Sequence, residues 1–237
     1  MRNLLIAHTY NQRANHFQGN YMSDDIKTIA LKFVLFLGCA LFVALMMGLV
    51  FIDVNWMQDA LHETSFTEVF QEAFLGVIAL AFFFTAFRQG ETLRHSLILI
   101  GGFFTCMLIR EMDFLFDEIS HGSWVWFALA VTLVCLWQAF LHPAVSLSGL
   151  VHFLHHPSWN MMAAGLLTVL VFSRLFGMHE LWETLMLDGY NRTVKNMAEE
   201  STELLGYSFC LIASVRYLWD LLRQKKDIYN VAGRVQR

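Results

Sequence analysis

Proline is nearly absent: Pro143 and Pro157 are the only two in 237 residues. Proline breaks helices by removing a backbone N–H and clashing with the preceding turn, so most of this chain is free to run as long helices. Charge is scarce as well, at 15% of residues against about 25% in a typical soluble domain. With 57% apolar residues, the composition excludes a soluble globular fold. A basic aromatic face is missing and the net charge is −4, which argues against nucleic-acid binding. Cys39, Cys106, Cys135 and Cys210 show no metal-type pairing, and each falls within an apolar stretch, where it reads as filler. There is no Gly-x-Ser-x-Gly, phosphate-binding glycine loop or Walker lysine, so ATP-driven chemistry is not expected of this chain alone.

What the chain does have is apolar runs close to the roughly 20 residues that cross a bilayer as helix. Six are expected, at about 30–52, 70–87, 93–112, 123–142, 160–178 and 204–222. The fold class predicted is all-α, a polytopic membrane helical bundle. Residues 1–29 form a polar leader, 30–222 the transmembrane domain and 223–237 a basic tail. The first run is too long for a signal-peptide core and reads as a retained helix. With both termini cytoplasmic, twelve of the sixteen Lys and Arg fall inside: Arg2, Arg13, Lys27, Lys32, Arg88, Arg94, Arg216, Arg223, Lys225, Lys226, Arg234 and Arg237. That distribution obeys the positive-inside rule and predicts a multi-pass protein of a bacterial inner membrane. The segment 143–158 reads as an inner loop. Leu181, Trp182, Leu185 and Met186 recur at helical spacing, predicting an amphipathic outer helix along the interface. "NRT" at Asn191 fits a glycosylation acceptor, a pattern common by chance.

The predicted outer helix ends are rich in acid. "LIREMDFLFDE" closes the third run with Arg110, Glu111, Asp113, Asp117 and Glu118. Helical spacing places Arg110, Asp113 and Asp117 on one face. Glu68 and Glu72, one turn apart around Gln71, open the second run, and Glu199, Glu200 and Glu203 precede the sixth. Arg174 lies about four residues inside the fifth run, where a guanidinium requires an anionic partner such as Glu72, Glu111 or Glu203. Such a set of acids and arginines suits a hard cation, protons or a polar lipid head group. Clustered carboxylates also raise one another's affinity for protons. Solvated helix tips and structural ion pairs explain the same residues without any ligand.

The predicted inner face gathers histidine. His152, His155 and His156 are spaced i, i+3 and i+4, with His142 and His95 at nearby helix ends, and neutral imidazoles bind iron, zinc or copper. A divalent metal held by His142, His152, His155 and His156 is therefore one expectation. The His-x-x-His-His string resembles one histidine box of the membrane fatty-acid desaturases and hydroxylases, whose members bind two irons at the cytoplasmic face. That family uses three such boxes, and this chain lacks the other two, leaving too few histidines for an iron pair. Haem between His95 and His142 lacks the second, outer pair of histidines on the same helices that a b-type cytochrome places there.

Paired Gly or Pro interruptions in two related halves, the usual mark of a transporter, are missing. Gly101, Gly102, Ala163, Ala164 and Gly165 are small enough for close helix contact. Three functional readings follow from the residues. The first is an outward-facing carboxylate and arginine site that binds or conducts a cation, protons or a head group. The second is a metal-dependent enzyme acting on a lipid or quinone. The third is a non-catalytic subunit that docks a membrane-protein partner or a second copy of itself.

Overall fold

The computed structural model describes the backbone of residues 2–57 and 65–235, and side chains within 24–55 and 65–225. The side chains of Arg2, Arg13, Lys226, Arg234 and Arg237, counted above for topology, lie outside the described residues. No strand occurs among the described residues.

Among the described residues ten α-helices follow one another. They are α1 (Arg2–Ile52), α2 (Phe66–Arg88), α3 (Glu91–Glu111), the short α4 (Asp113–Asp117), α5 (Trp124–Leu141), α6 (Pro143–His155), α7 (Trp159–Leu167), α8 (Ser173–Gly177), α9 (His179–Met186) and α10 (Arg192–Val235). A π-helical turn, Asp53–Met57, extends α1, and another, Thr168–Phe172, joins α7 to α8. Among the described residues five helical segments are long and apolar enough to cross a membrane: Asp24–Asn55, Phe66–Arg88, Glu91–Glu111, Trp124–Leu141 and Trp159–Gly177. The sixth expected run, 204–222, is helical but is not among the five. It lies within the 44-residue α10, where Arg216, Asp220 and several small polar residues dilute its apolar character.

The chain divides into two compact units, Met1–Leu45 and Met46–Arg237. In the first, α1 is apolar around its circumference after Lys32, with Phe33, Val34, Leu35, Phe36, Leu37 and Leu41 all exposed. A helix apolar all round is at home in hydrocarbon, not in water.

In the second unit α3 packs on α2, α5 and α6, while α10 packs on α2, α7 and α8. Phe82, Phe104 and Tyr217 form its buried aromatic centre, with Phe82 stacked on both of the others. Small residues let helix backbones approach closely, so that van der Waals contact holds them together. Glycine provides that contact between α7 and α10: a Cβ on Gly165 would lie 2.7 Å from the Gly206 carbonyl and from Cys210 Sγ. Likewise a Cβ on Gly102 would lie 2.4 Å from Cys135 Sγ, which brings α3 against α5.

Local chemistry sets the helix ends. Ser65 caps α2 by accepting a hydrogen bond from the Glu68 amide (3.2 Å). Asp53 adds a second cap, accepting from the amides of Phe66 (3.1 Å) and Thr67 (2.8 Å) and from the Thr67 hydroxyl. A buried carboxylate here faces the positive end of the α2 dipole. The segment 143–158, expected as a loop, is largely helix. Pro143 starts α6 at a position where its missing N–H costs nothing, and Pro157 holds His156 in extended backbone and ends the helix.

Candidate functional site

One end of the second unit brings together the start of α2, the end of α3, α8 and the first turns of α10. There an unbroken ionic ladder alternates in sign. Lys195 Nζ donates to Glu199 Oε2 at 3.0 Å, and Glu199 Oε1 lies 3.7 Å from Arg174 Nη1. Arg174 Nη2 is paired with Glu203 Oε1, which is also 3.7 Å from Arg110 Nη2. Arg110 Nη2 donates to Glu111 Oε1 at 2.7 Å, and the Tyr207 hydroxyl donates to that same oxygen at 2.6 Å. Three cations, Lys195, Arg174 and Arg110, thus face three carboxylates, Glu199, Glu203 and Glu111.

Burial makes the ladder rigid at its centre. The Glu203 side chain is only 4% exposed, against 41% for Arg174 and 40% for Arg110, so both guanidinium groups reach inward from a wetter rim. Ser173 Oγ, fully buried, lies 3.2 Å from Glu203 Oε1 and receives the Arg174 Nε–H at 3.3 Å. The π-helical turn immediately before Ser173 widens the helix, and Ser173 and Arg174, though adjacent, both touch Glu203.

Glu200 stands beside the ladder and outside its pairing. Gln71 Nε2 donates both to Glu200 Oε2 (2.9 Å) and to the Glu200 carbonyl (3.0 Å). No Lys, Arg or His comes within ion-pair distance of Glu200 among the described residues. Its position precedes the apolar run 204–222. Removal from water raises its carboxyl to about 7, and the nearby charge of Glu68 adds to the effect. The Gln71 amide opposes the rise, while Glu111 and Glu199 add smaller upward contributions. Glu72, half-buried on α2, is within electrostatic reach of Glu111.

Of the expected acidic residues, the structure brings together Glu68, Glu111, Glu199, Glu200 and Glu203 with Arg110 and Arg174, and sets Glu72 beside Glu111. Asp113 stays within electrostatic reach of Arg110 and Glu111, whereas Asp117 departs from expectation. Met112 interrupts the helix at φ −87°, ψ 24°, between Arg110 and Asp117. Asp117 turns to its own loop, accepting from the Gly122 amide (2.8 Å) and contacting His121 Nδ1 (2.9 Å). The Gly122 amide, reinforced by His121, holds this carboxyl below its usual range. Asp113 is exposed, and partial desolvation together with the Asp117 charge raises its carboxyl.

The expected histidine metal centre does not assemble. Among the described residues no group of three or more His, Cys, Asp or Glu is placed to hold a metal ion. The reason is α6. His142 precedes its first residue and His152 lies ten residues on, a rise of about 15 Å at 1.5 Å per residue. His142 packs on His95 with ring centroids 4.5 Å apart, and His95 Nδ1 lies 2.7 Å from Gln138 Nε2. At the other end of α6, His152 Nδ1 is 3.4 Å from the Tyr217 hydroxyl, while His156 Nε2 is 3.3 Å from Asp220 Oδ2. His155 is exposed. Desolvation lowers the His156 imidazole from its ordinary value, partly opposed by Asp220.

Sequence reasoning missed Tyr207, Ser173, Lys195 and Asp53, and noted Gln71 only as a neighbour of two acids. A signal existed for two of them: Lys195, Glu199, Glu203 and Tyr207 recur every four residues along one face of α10.

The chain matches no protein-family model, no curated protein and no solved structure, so its function has to be read from its own residues.

Proposed function

We propose that this chain is a six-crossing membrane protein that takes up and releases protons at an outward-facing polar site, with Glu200 as the proton-carrying group. The sixth crossing in this reading is the run 204–222 of α10, and both termini face the cytoplasm of a bacterial inner membrane. The excess of Lys and Arg at the opposite end of the helices supports that orientation.

A single observation carries the functional reading. Three carboxylates of the cluster are matched by three cations, whereas Glu200 faces a neutral amide and further carboxylates. A hard divalent cation takes six or more oxygen ligands, and Glu111 Oε1, Glu203 Oε1 and both oxygens of Glu199 are already engaged by arginine, lysine and tyrosine. A proton needs one carboxyl whose affinity for it is matched to ambient pH, and Glu200 at about 7 meets that condition. Gln71 holds the group in place in either state, because a carboxyl oxygen accepts a hydrogen bond whether or not the acid is protonated.

The test uses the full chain in proteoliposomes carrying a pH-sensitive dye. An external acid pulse is expected to give a proton influx that Glu200→Gln abolishes and Glu183→Gln leaves intact. A protonated-carboxyl infrared band should titrate near pH 7 and disappear in the same variant. Parent-like flux and an unchanged band in Glu200→Gln would overturn the assignment.

A further inference from the structure

Beside the ladder lies a cavity of about 300 Å³, lined by Gly177, His179, Tyr190, Arg192 and Lys195. It is built from three elements. Gly177 closes α8, His179 opens α9, and the chain then doubles back so that Tyr190 and the first turn of α10 form the facing wall. The return is made at Leu187, whose φ of 49° is rare for a residue with a side chain. His179 Nδ1 lies 2.9 Å from the Tyr190 hydroxyl and Nε2 lies 3.0 Å from Glu183 Oε1, which fixes that wall. A Cβ on Gly177 would lie 2.5 Å from Glu199 Oε1, so glycine is what admits the ladder to the back of the cavity.

The charges are unequal. Lys195 is shared with Glu199, and Glu183 is engaged by His179. Arg192 has no carboxylate within ion-pair distance among the described residues. Arg192 is exposed and shares the cavity lining with the Lys195 ammonium, and its planar guanidinium fork fits a pair of anionic oxygens such as a phosphate presents. The cavity also sits at the start of a 44-residue helix, whose dipole favours an anion there. Tyr190 in the lining, and Trp182, whose Nε1–H donates at 2.6 Å to the carbonyl of Phe176 next to Gly177, are of the aromatic types that settle at head-group depth.

We infer that this cavity binds a phosphate group, with Arg192 and Lys195 as its ligands and the phosphodiester of an anionic lipid head group as the occupant. Lys195 is shared with the ladder, whereas Arg192 belongs to neither the ladder nor the Gln71 pair, so Arg192 is the residue whose loss tests this site apart from Glu200.

The full chain in detergent is titrated with short-chain phosphatidylglycerol, with phosphatidylcholine of the same chain length, and with inorganic phosphate, reading heat by calorimetry. Saturable binding of phosphatidylglycerol is expected, at least tenfold tighter than phosphatidylcholine and weakened at least tenfold by Arg192→Gln. Proton uptake at Glu200 should be unchanged in that variant, which separates failure of this site from failure of the proton reading. Inorganic phosphate binding as tightly as phosphatidylglycerol, with the same dependence on Arg192, would support the phosphate site and assign it to a soluble ligand. Equal affinity of parent and Arg192→Gln for every probe, or no binding at all, would overturn the inference.

Discussion

The Arg174–Glu203 pair is the part of the ladder whose strength follows most directly from the geometry. Two unit charges 4 Å apart interact by about 4 kcal/mol at an effective dielectric constant of 20. Glu203 is 4% exposed but Arg174 is 41% exposed, so solvent screening roughly halves this to about 2 kcal/mol. Removing either charge alone costs more than the pair contributes, because the partner is left incompletely solvated. Glu203→Gln is expected to destabilise the full chain by about 3 kcal/mol. Arg174→Gln should cost somewhat less, since Ser173 and Arg110 still contact the Glu203 carboxylate. The double variant should recover part of the loss, giving a coupling energy of about 2 kcal/mol in a double-mutant cycle. The assay is reversible unfolding in mixed micelles. Lys27–Asp24, with side chains 77% and 73% exposed, is the internal control and should show coupling below about 0.5 kcal/mol. If the Arg174–Glu203 coupling proves no larger than this control, the inference from burial to strength is refuted.

Three further outcomes are expected. Gly206→Ala would push a Cβ to 2.5 Å from Val169 Cγ2 and 2.9 Å from the Gly165 carbonyl, costing about 1–3 kcal/mol in the same unfolding assay. Gly38→Ala, with nothing within 4 Å of the added carbon, should cost nothing measurable. Asp53→Ala removes the carboxylate from the start of α2 and should destabilise by about 1–2 kcal/mol, with hydrogen exchange quickening first at Phe66 and Thr67. Glu200 gives a pH dependence with a defined sign. Between pH 4.5 and about 7 the folded protein keeps a proton that the unfolded chain has released, so stability falls as pH rises through that window. The loss amounts to about 3 kcal/mol, and Glu200→Gln should flatten the profile, whereas an unchanged profile would assign the proton elsewhere.

The helical class and the presence of helices long and apolar enough to cross a membrane were legible because they depend on summed composition and run length, which need no partner. The first five runs agree with the five apolar helices to within a few residues, apart from the first, where the candidate span begins at Asp24 and not near residue 30. Run length alone could not grade 204–222, because whether Arg216 and Asp220 count as interruptions depends on what packs beside them. Acids concentrated at helix ends could also be seen in the sequence. Their pairing could not, since i, i+4 spacing says which residues share a face and nothing about which helix that face meets.

Three outcomes were decided by tertiary structure. A break at Met112 took Asp117 away from the ionic ladder, because one residue outside helical geometry rotates everything after it. A 13-residue α6 drove His142 and His152 apart and dissolved a metal site that their nearness in the sequence had suggested. The packing of α10 against α2 and α8 set Glu111, Glu199 and Glu203 against cations and Glu200 against the Gln71 amide. Composition and periodicity act through local sums and belong to the sequence, whereas the charge state of a carboxyl depends on the few ångströms around it, and those are filled by residues more than a hundred positions away, as Gln71 is from Glu200.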